Sequence, residues 1–223
     1  MQVRYPWEPV PDPDPAPPPA SPPRPKPRGR RPASAQAAGC WHYHHLTVSG
    51  PAVPVSAFAE AARGAGIIPW VLDGSRIEED VFNLAASQPP AWRNLTMAGC
   101  HVLARQFRER VEARQAQAAA LVGRSRACPF DLHVLLPVPA AILALGPTHP
   151  TALAWLSEHW GAPDGLRQVA ERARPTTGRR LPAGHRVVGY SFFAAHATPA
   201  PAVTQLGARW PALRFVLQPR PLD

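Results

Sequence analysis

The clearest hydrophobic patterning lies in the last third of the chain. Residues 185–193, His-Arg-Val-Val-Gly-Tyr-Ser-Phe-Phe, form an apolar, β-branched and aromatic run of strand length. Thr198-Pro199-Ala200-Pro201 breaks the run, and a short helical segment follows that ends at Arg209-Trp210-Pro211. Residues 213–217, Leu-Arg-Phe-Val-Leu, read as a closing strand. The three pieces make one continuous βαβ unit.

The start of the ordered chain has the same layout. Residues 42–49 are aromatic and β-branched, read as a strand, and end at Gly50-Pro51. Residues 55–63 follow with helical period: Val55, Phe58, Ala59 and Ala62 share a face, and Gly64 stands where a helix stops. Residues 65–127 are less regular. An apolar patch at 67–72 is broken by Pro69, residues 88–93 read as a loop, and residues 100–122 read as one long helix. Leu103, Phe107 and Val111 recur four apart along that helix as its apolar side. Arg105–Glu109 and Arg108–Glu112 can pair across a turn on its other faces, which marks the charge run as a solvated surface.

Residues 130–139 form an extended apolar segment closed by Pro137 and Pro139. A helix over 150–160 is expected next, capped by Thr148 or Thr151 and stopped by Gly161-Ala162-Pro163. Residues 166–173 read as a weak strand, and residues 175–180 turn back into the strong one. The order strand, helix, long excursion, strand, strand, helix, strand predicts an α+β fold of the ferredoxin-like split βαββαβ kind. Its sheet is expected to be four-stranded and antiparallel with helices on one face. Residues 40–220 would form this single domain, with residues 65–150 as a mostly helical insertion after the first helix.

Composition changes the picture at the N-terminus. Residues 1–38 hold a dense proline run with few aliphatic side chains, so they are expected to be a disordered arm of polyproline II character outside any core. The net charge of +9 is carried by arginine, Lys26 being the only lysine. A basic balance suits an acidic partner such as nucleic acid. The end of the arm concentrates Arg24, Lys26, Arg28, Arg30 and Arg31 where nothing buries them, so these are candidate phosphate contacts, as are Arg105, Arg108 and Arg114 on the long helix. The same arm also reads as a solvated, semi-rigid tether. Cys40, Cys100 and Cys128 are odd in number and far apart, which points to a reducing compartment. With no apolar run of membrane-spanning length and no signal-peptide pattern, a cytoplasmic location is expected, with no membrane partner.

Four motifs occur in a fixed order: His44-His45-Leu46-Thr47-Val48-Ser49-Gly50; Phe130-Asp131-Leu132 with Leu136-Pro137-Val138-Pro139; Trp155 with His159-Trp160-Gly161; and Tyr190-Ser191-Phe192 with Ala195-His196-Ala197-Thr198-Pro199. Over about residues 44–218 the chain resembles the YubB-type family of phage- and plasmid-borne proteins of unknown function. The resemblance implies a ferredoxin-like C-terminal part and a mobile-element setting, with Trp155, His159, Trp160, Gly161, Tyr190, Phe192 and Pro199 as motif residues. The chain departs from the family at His44-His45, where Asn-Arg is usual, at His196 for a Trp, and at Ala162-Pro163 for a Lys-Trp pair. Any function lodged at those positions does not carry over. "Ferredoxin-like" names a topology only, since three dispersed cysteines cannot hold an iron–sulfur cluster, and no cofactor is expected.

Candidate chemistry is sparse. On a strand, Cys40, His42 and His44 share a face and are weak candidates for zinc, against a reading as exposed histidines at a sheet edge. Cys100 and His101 point about 100° apart on a helix and make no dyad; buried structural cysteine is the default for all three thiols. Asp131, His159 and His185 would have to converge in space to serve a small hydrolase or nuclease. Trp155, Trp160 and Trp210 could stack on unpaired bases but read better as core anchors. Tyr190 and Phe192 share one strand face and Phe193 lies on the other, so at least one face should pack on helices. The expectation is a non-enzymatic accessory or binding protein that contacts nucleic acid or another protein, with the hydrolase as the alternative.

Overall fold

The computed structural model describes residues 41–89, 95–172 and 182–220. The expected arm at residues 1–38, Cys40, and the expected turn at 175–180 lie outside them. So does most of the expected loop at 88–93, whose residues 90–94 are not described. In chain order the elements are β1 (Trp41–Pro51), α1 (Ala52–Ala61), α2 (Gly74–Ala86), α3 (Met97–Ala119), α4 (Leu132–Leu135) and α5 (Ala140–Leu143). Then come α6 (Pro150–His159), β2 (Leu166–Arg172), β3 (His185–Ala195), α7 (Ala200–Arg209) and β4 (Arg214–Arg220). The class is α+β. The four strands form one sheet in the order β2-β3-β1-β4, each neighbouring pair antiparallel.

Period-two alternation decides which residues meet the helices. His44, Leu46 and Val48 of β1 and Val188, Tyr190, Phe192 and Ala194 of β3 are buried on one face. Phe58 of α1 sits at the centre of that core. Its ring lies 5.2 Å from Phe215, 5.5 Å from Trp210 and 6.5 Å from both Phe130 and Tyr190, centroid to centroid. Leu206 and Ala202 of α7, Leu156 of α6 and Trp160 just after it join the same cluster. Truncating Phe58 to alanine would cost about 3–5 kcal/mol at such a site.

The helical excursion differs from its sequence pattern in four ways. The polar segment after the apolar patch is a helix, α2, capped by the Asp73 carboxylate, which accepts from the Arg76 amide at 3.0 Å. Leu103 and Phe107 are exposed, at 42% and 48%, and the buried positions of α3 are Cys100 and Ala104. α3 packs against α2 through His101, whose ring stacks on Phe82 at 4.0 Å, and Arg108, which donates to Glu78 at 2.6 Å, so the face turned to α2 is not the apolar stripe. Residues 130–139 are not extended: Asp131 caps the single turn α4 by accepting from the His133 and Val134 amides at 2.8 and 3.4 Å. The cap of α6 is His149, whose Nδ1 accepts from the Thr151 amide, in place of either threonine.

Candidate nucleic-acid interface

The sheet face opposite the helices is where polar and aromatic chemistry collects. β1 presents Trp41, Tyr43, His45, Thr47 and Ser49 there, since their neighbours in sequence face the core. Antiparallel register then places Phe193 and Arg220 on either side of Tyr43, and Ser191 and Gln218 on either side of His45. Val216 and Gly189 flank Thr47, and Arg214 flanks Ser49. The residues of β1 and β3 on this face lie outside the hydrophobic core cluster.

β2 reaches the same face through a β-bulge. Arg167 pairs with Phe193 and Ala170 with Ser191, so Gln168 and Val169 together oppose Phe192 alone. Gln168 takes up the irregularity at φ +50°, in the left-handed region. Without the extra residue, Arg167 and Arg172, five apart, would point to opposite faces. With it, both lie on the aromatic face. Glu171 is turned to the other side, where its carboxylate accepts from Arg63 at 3.0 Å. The face therefore carries Arg167, Arg172, Arg214 and Arg220, and among the described strand residues no acid shares it.

These groups touch one another. The Tyr43 and Phe193 rings lie 4.9 Å apart at 39°, and Tyr43 meets His45 edge-on at 5.0 Å. The Arg167 guanidinium stands 4.5 Å over the Trp41 ring, a cation–π pair. Arg172 donates to His45 Nδ1 at 2.8 Å. Burial, and then the charges of Arg172 and Arg220, hold the His45 imidazole below its ordinary pKa. The neutral ring is the form that accepts from Arg172.

The other residues singled out from sequence are placed differently. Arg105 and Arg114 are exposed on α3, but Arg108 is held by Glu78 at 2.6 Å and by Glu112 at 3.8 Å. His44 is not an exposed edge residue: β1 is an inner strand, and His44 is fully buried. Its Nδ1 lies 2.9 Å from the His42 carbonyl and so must carry the proton, its Nε2 is 3.4 Å from the Thr198 hydroxyl, and its ring stacks on Phe192 at 5.7 Å. Exposed His42 shares that strand face, and among the described residues no three His, Cys, Asp or Glu groups are arranged to hold a metal ion.

Asp131 is buried, and besides capping α4 it accepts from the Gly66 amide at 2.7 Å. It lines a cavity of about 290 Å³ with Trp70, Cys128, His133 and Trp160. His185 lines a different cavity, with Glu171 and Arg172. His159 lines neither; it stacks on Trp155 at 4.3 Å and donates from Nδ1 to the Trp155 carbonyl. The three do not meet in either cavity. Cys100 is fully buried on α3, and burial pushes the Cys128 thiol up while its Sγ donates to the Phe130 carbonyl. A thiol raised in this way is not an activated nucleophile.

The motif residues form a structural cluster. Trp160 is buried and its indole N–H donates to the Leu136 carbonyl at 3.1 Å. Gly161 adopts φ +69°, and a Cβ there would stand 2.7 Å from Pro201 Cδ and 2.9 Å from the Thr198 carbonyl oxygen. The Trp-Gly and Thr-Pro segments are thus pressed together, with Pro199 fully buried beside them. Tyr190 and Phe192 stack on Phe130 at 5.1 and 5.9 Å, and burial raises the Tyr190 hydroxyl pKa well above its usual value. Trp210 meets Phe58 edge-on in the same core.

No family model matches the chain, and no curated protein matches it significantly. Among solved structures, it is similar to protein api92 from Yersinia pseudotuberculosis, described under the family model DUF1281. The identity is 14% and the TM-score 0.39, over 80% of this chain and 89% of that one. Among the described residues no helix is long and apolar enough to cross a membrane.

Proposed function

We propose that this is a non-enzymatic nucleic-acid-binding accessory protein of a mobile element, built on a ferredoxin-like split βαβ domain. The sheet order supports that topology. β1 and β2 are both antiparallel to the β3 strand between them and hence mutually parallel, and β3 and β4 are related in the same way across β1. Two βαβ units therefore interleave. The mobile-element setting is what the motif resemblance implies.

The observation that carries the binding reading is the face bearing Arg167, Arg172, Arg214 and Arg220 with no acid among its described strand residues. An array of guanidiniums without carboxylate partners attracts polyanions and is neutralised by phosphates. Arg24, Lys26, Arg28, Arg30 and Arg31 of the preceding segment are proposed as phosphate contacts in their own right, as are the exposed Arg105 and Arg114 of α3. Arg108 would add little, being committed to Glu78. A hydrolase on Asp131, His159 and His185 has no supporting geometry, because each is engaged in its own local contacts.

The test is titration of fluorescent DNA, single-stranded and duplex, with the full chain over a range of salt. Binding should weaken linearly in log–log form, with a slope near the number of phosphates neutralised. Absence of binding to both forms at low salt removes this reading.

A further inference from the structure

We infer that the occupant of the open sheet face is an unpaired strand, whose bases stack on Tyr43 and Phe193 while the surrounding guanidiniums hold its phosphates. This rests on the nucleic-acid reading above and narrows it to single-stranded ligands read through their base planes.

The argument starts from what the face lacks. Open antiparallel sheet faces are ordinarily polar where water covers them. Here the central strands place Trp41, Tyr43 and His45 in one row with Phe193 beside Tyr43, all partly exposed. Packing does not explain the rings, because those on β1 and β3 lie outside the core cluster. Successive positions of that row are two residues apart, about 6.6 Å along the strand, so it accommodates two or three bases. Unpaired bases stack on aromatic rings with little regard to sequence. Paired bases have their planes buried in the duplex and offer such a face phosphates alone.

The arginines complete the platform from both edges. Arg220 and Arg214 come from β4, and Arg167 and Arg172 from β2, so the aromatic row lies between two cationic borders. Arg167, with its guanidinium carbon 4.5 Å from the Trp41 ring centre, brings a cation against the aromatic row itself. An acidic polypeptide would satisfy the borders and leave the rings without partners.

The experiment uses the full chain, a fluorescein-labelled oligothymidylate of about 12 nucleotides, and a duplex of equal length. The single strand is expected to bind about tenfold or more tightly at equal salt. Tyr43→Leu and Phe193→Leu, which keep apolar bulk and remove the ring, should each lose roughly tenfold for the oligothymidylate and leave duplex affinity unchanged, and Tyr43→Phe should restore binding. A measurement on the unaltered chain covers the case in which a leucine variant does not fold. Oligobromodeoxyuridine irradiated in the complex should crosslink to Trp41, Tyr43 or Phe193.

Equal affinity for strand and duplex, leucine variants that bind like the parent, or crosslinks confined to other elements would each overturn the stacked single strand and leave the nucleic-acid reading standing. Displacement of the oligothymidylate by polyglutamate at equal charge would overturn it in favour of an acidic polypeptide. Failure of both nucleic acids to bind at low salt removes both readings together.

Discussion

Arg172 reaches across an intervening strand to donate its hydrogen bond to His45. Its partner on β3 is Gly189, which puts no side chain of its own in the way, and the guanidinium runs diagonally to the row of Ser191 and His45. Among the described residues the groups around the ring are Arg172 of β2, Arg220 and Gln218 of β4, Ser191 of β3 and Tyr43 of β1. None of these is acidic, and together with burial the two cations keep the imidazole neutral.

Binding of a polyanion should therefore be proton-coupled. Phosphates brought against His45 would raise its pKa from the depressed value of the free protein. Affinity then rises as pH falls through the bound-state pKa and levels off below the free-state one. The expected outcome is tighter binding at about pH 5.5 than at about pH 8, with a much weaker dependence in His45→Gln. Titrations at matched ionic strength would check it, and equal pH profiles for the two proteins would count against the coupling.

Gly161 is expected to tolerate no side chain. The left-handed backbone costs a non-glycine residue about 1–3 kcal/mol, and the Thr198 carbonyl at 2.9 Å and the Pro201 ring at 2.7 Å leave a Cβ no room. Gly161→Ala should lower the thermal midpoint by several degrees and loosen the contact between the loops after α6 and β3. Gly123, also left-handed but with nothing within 4 Å of its Cβ position, is the control: its alanine variant should show the backbone effect alone.

The sheet was legible because its strands alternate or run apolar and its helices carry periodic faces, as Val55, Phe58 and Ala62 do. The α3 surface was not. Leu103, Phe107 and Val111 have the spacing of a buried stripe, but α2 meets the helix on another face, at His101 and Arg108, which contact Phe82 and Glu78. α2 itself escaped notice because its sequence is mostly polar and no residue of it is buried.

The site was half legible. Trp41, Tyr43 and His45 alternate on one strand, but the pattern that draws the eye is the opposite face, with Cys40, His42 and His44; Phe193 does stand on the other side of its strand from Tyr190 and Phe192. The arginines were not readable, because which face Arg172 meets depends on the bulge at Gln168, and which strand borders Tyr43 depends on pairing with β4. Arg108 looks free beside its neighbours in sequence, while Glu78, thirty residues away, is what holds it.

That contrast is testable by charge removal. Arg220→Gln takes a cation from the open face and should weaken nucleic-acid binding and reduce the salt slope by about one. Arg108→Gln removes a charge already paired with Glu78 and Glu112 and should leave affinity and slope unchanged. Its cost should appear as stability, no more than about 1 kcal/mol for a partly exposed pair. Equal effects of the two variants on the salt slope would mean that α3 belongs to the binding surface.

Acid sensitivity of the fold should come from one buried and one half-buried histidine. Burial lowers the pKa of His44, opposed by its hydrogen bond to the His42 carbonyl and reinforced by the His42 charge. Burial also lowers that of His133, opposed by the charge of Asp131. A folded-state pKa below the unfolded one means that the unfolded chain binds protons more readily. Stability is then full above the unfolded value near 6.5 and is lost as pH falls from there toward the folded pKa. The geometry gives the same sign, because His133 Nδ1 accepts from the Val138 amide and a protonated ring could not. Thermal midpoints should fall between about pH 7 and about pH 5. His44→Phe, which keeps the stack on Phe192 and cannot titrate, should be less stable near neutrality, since the His42 carbonyl and the Thr198 hydroxyl lose their partner, yet show a shallower fall with acid. A variant slope as steep as that of the parent would assign the acid sensitivity to other groups.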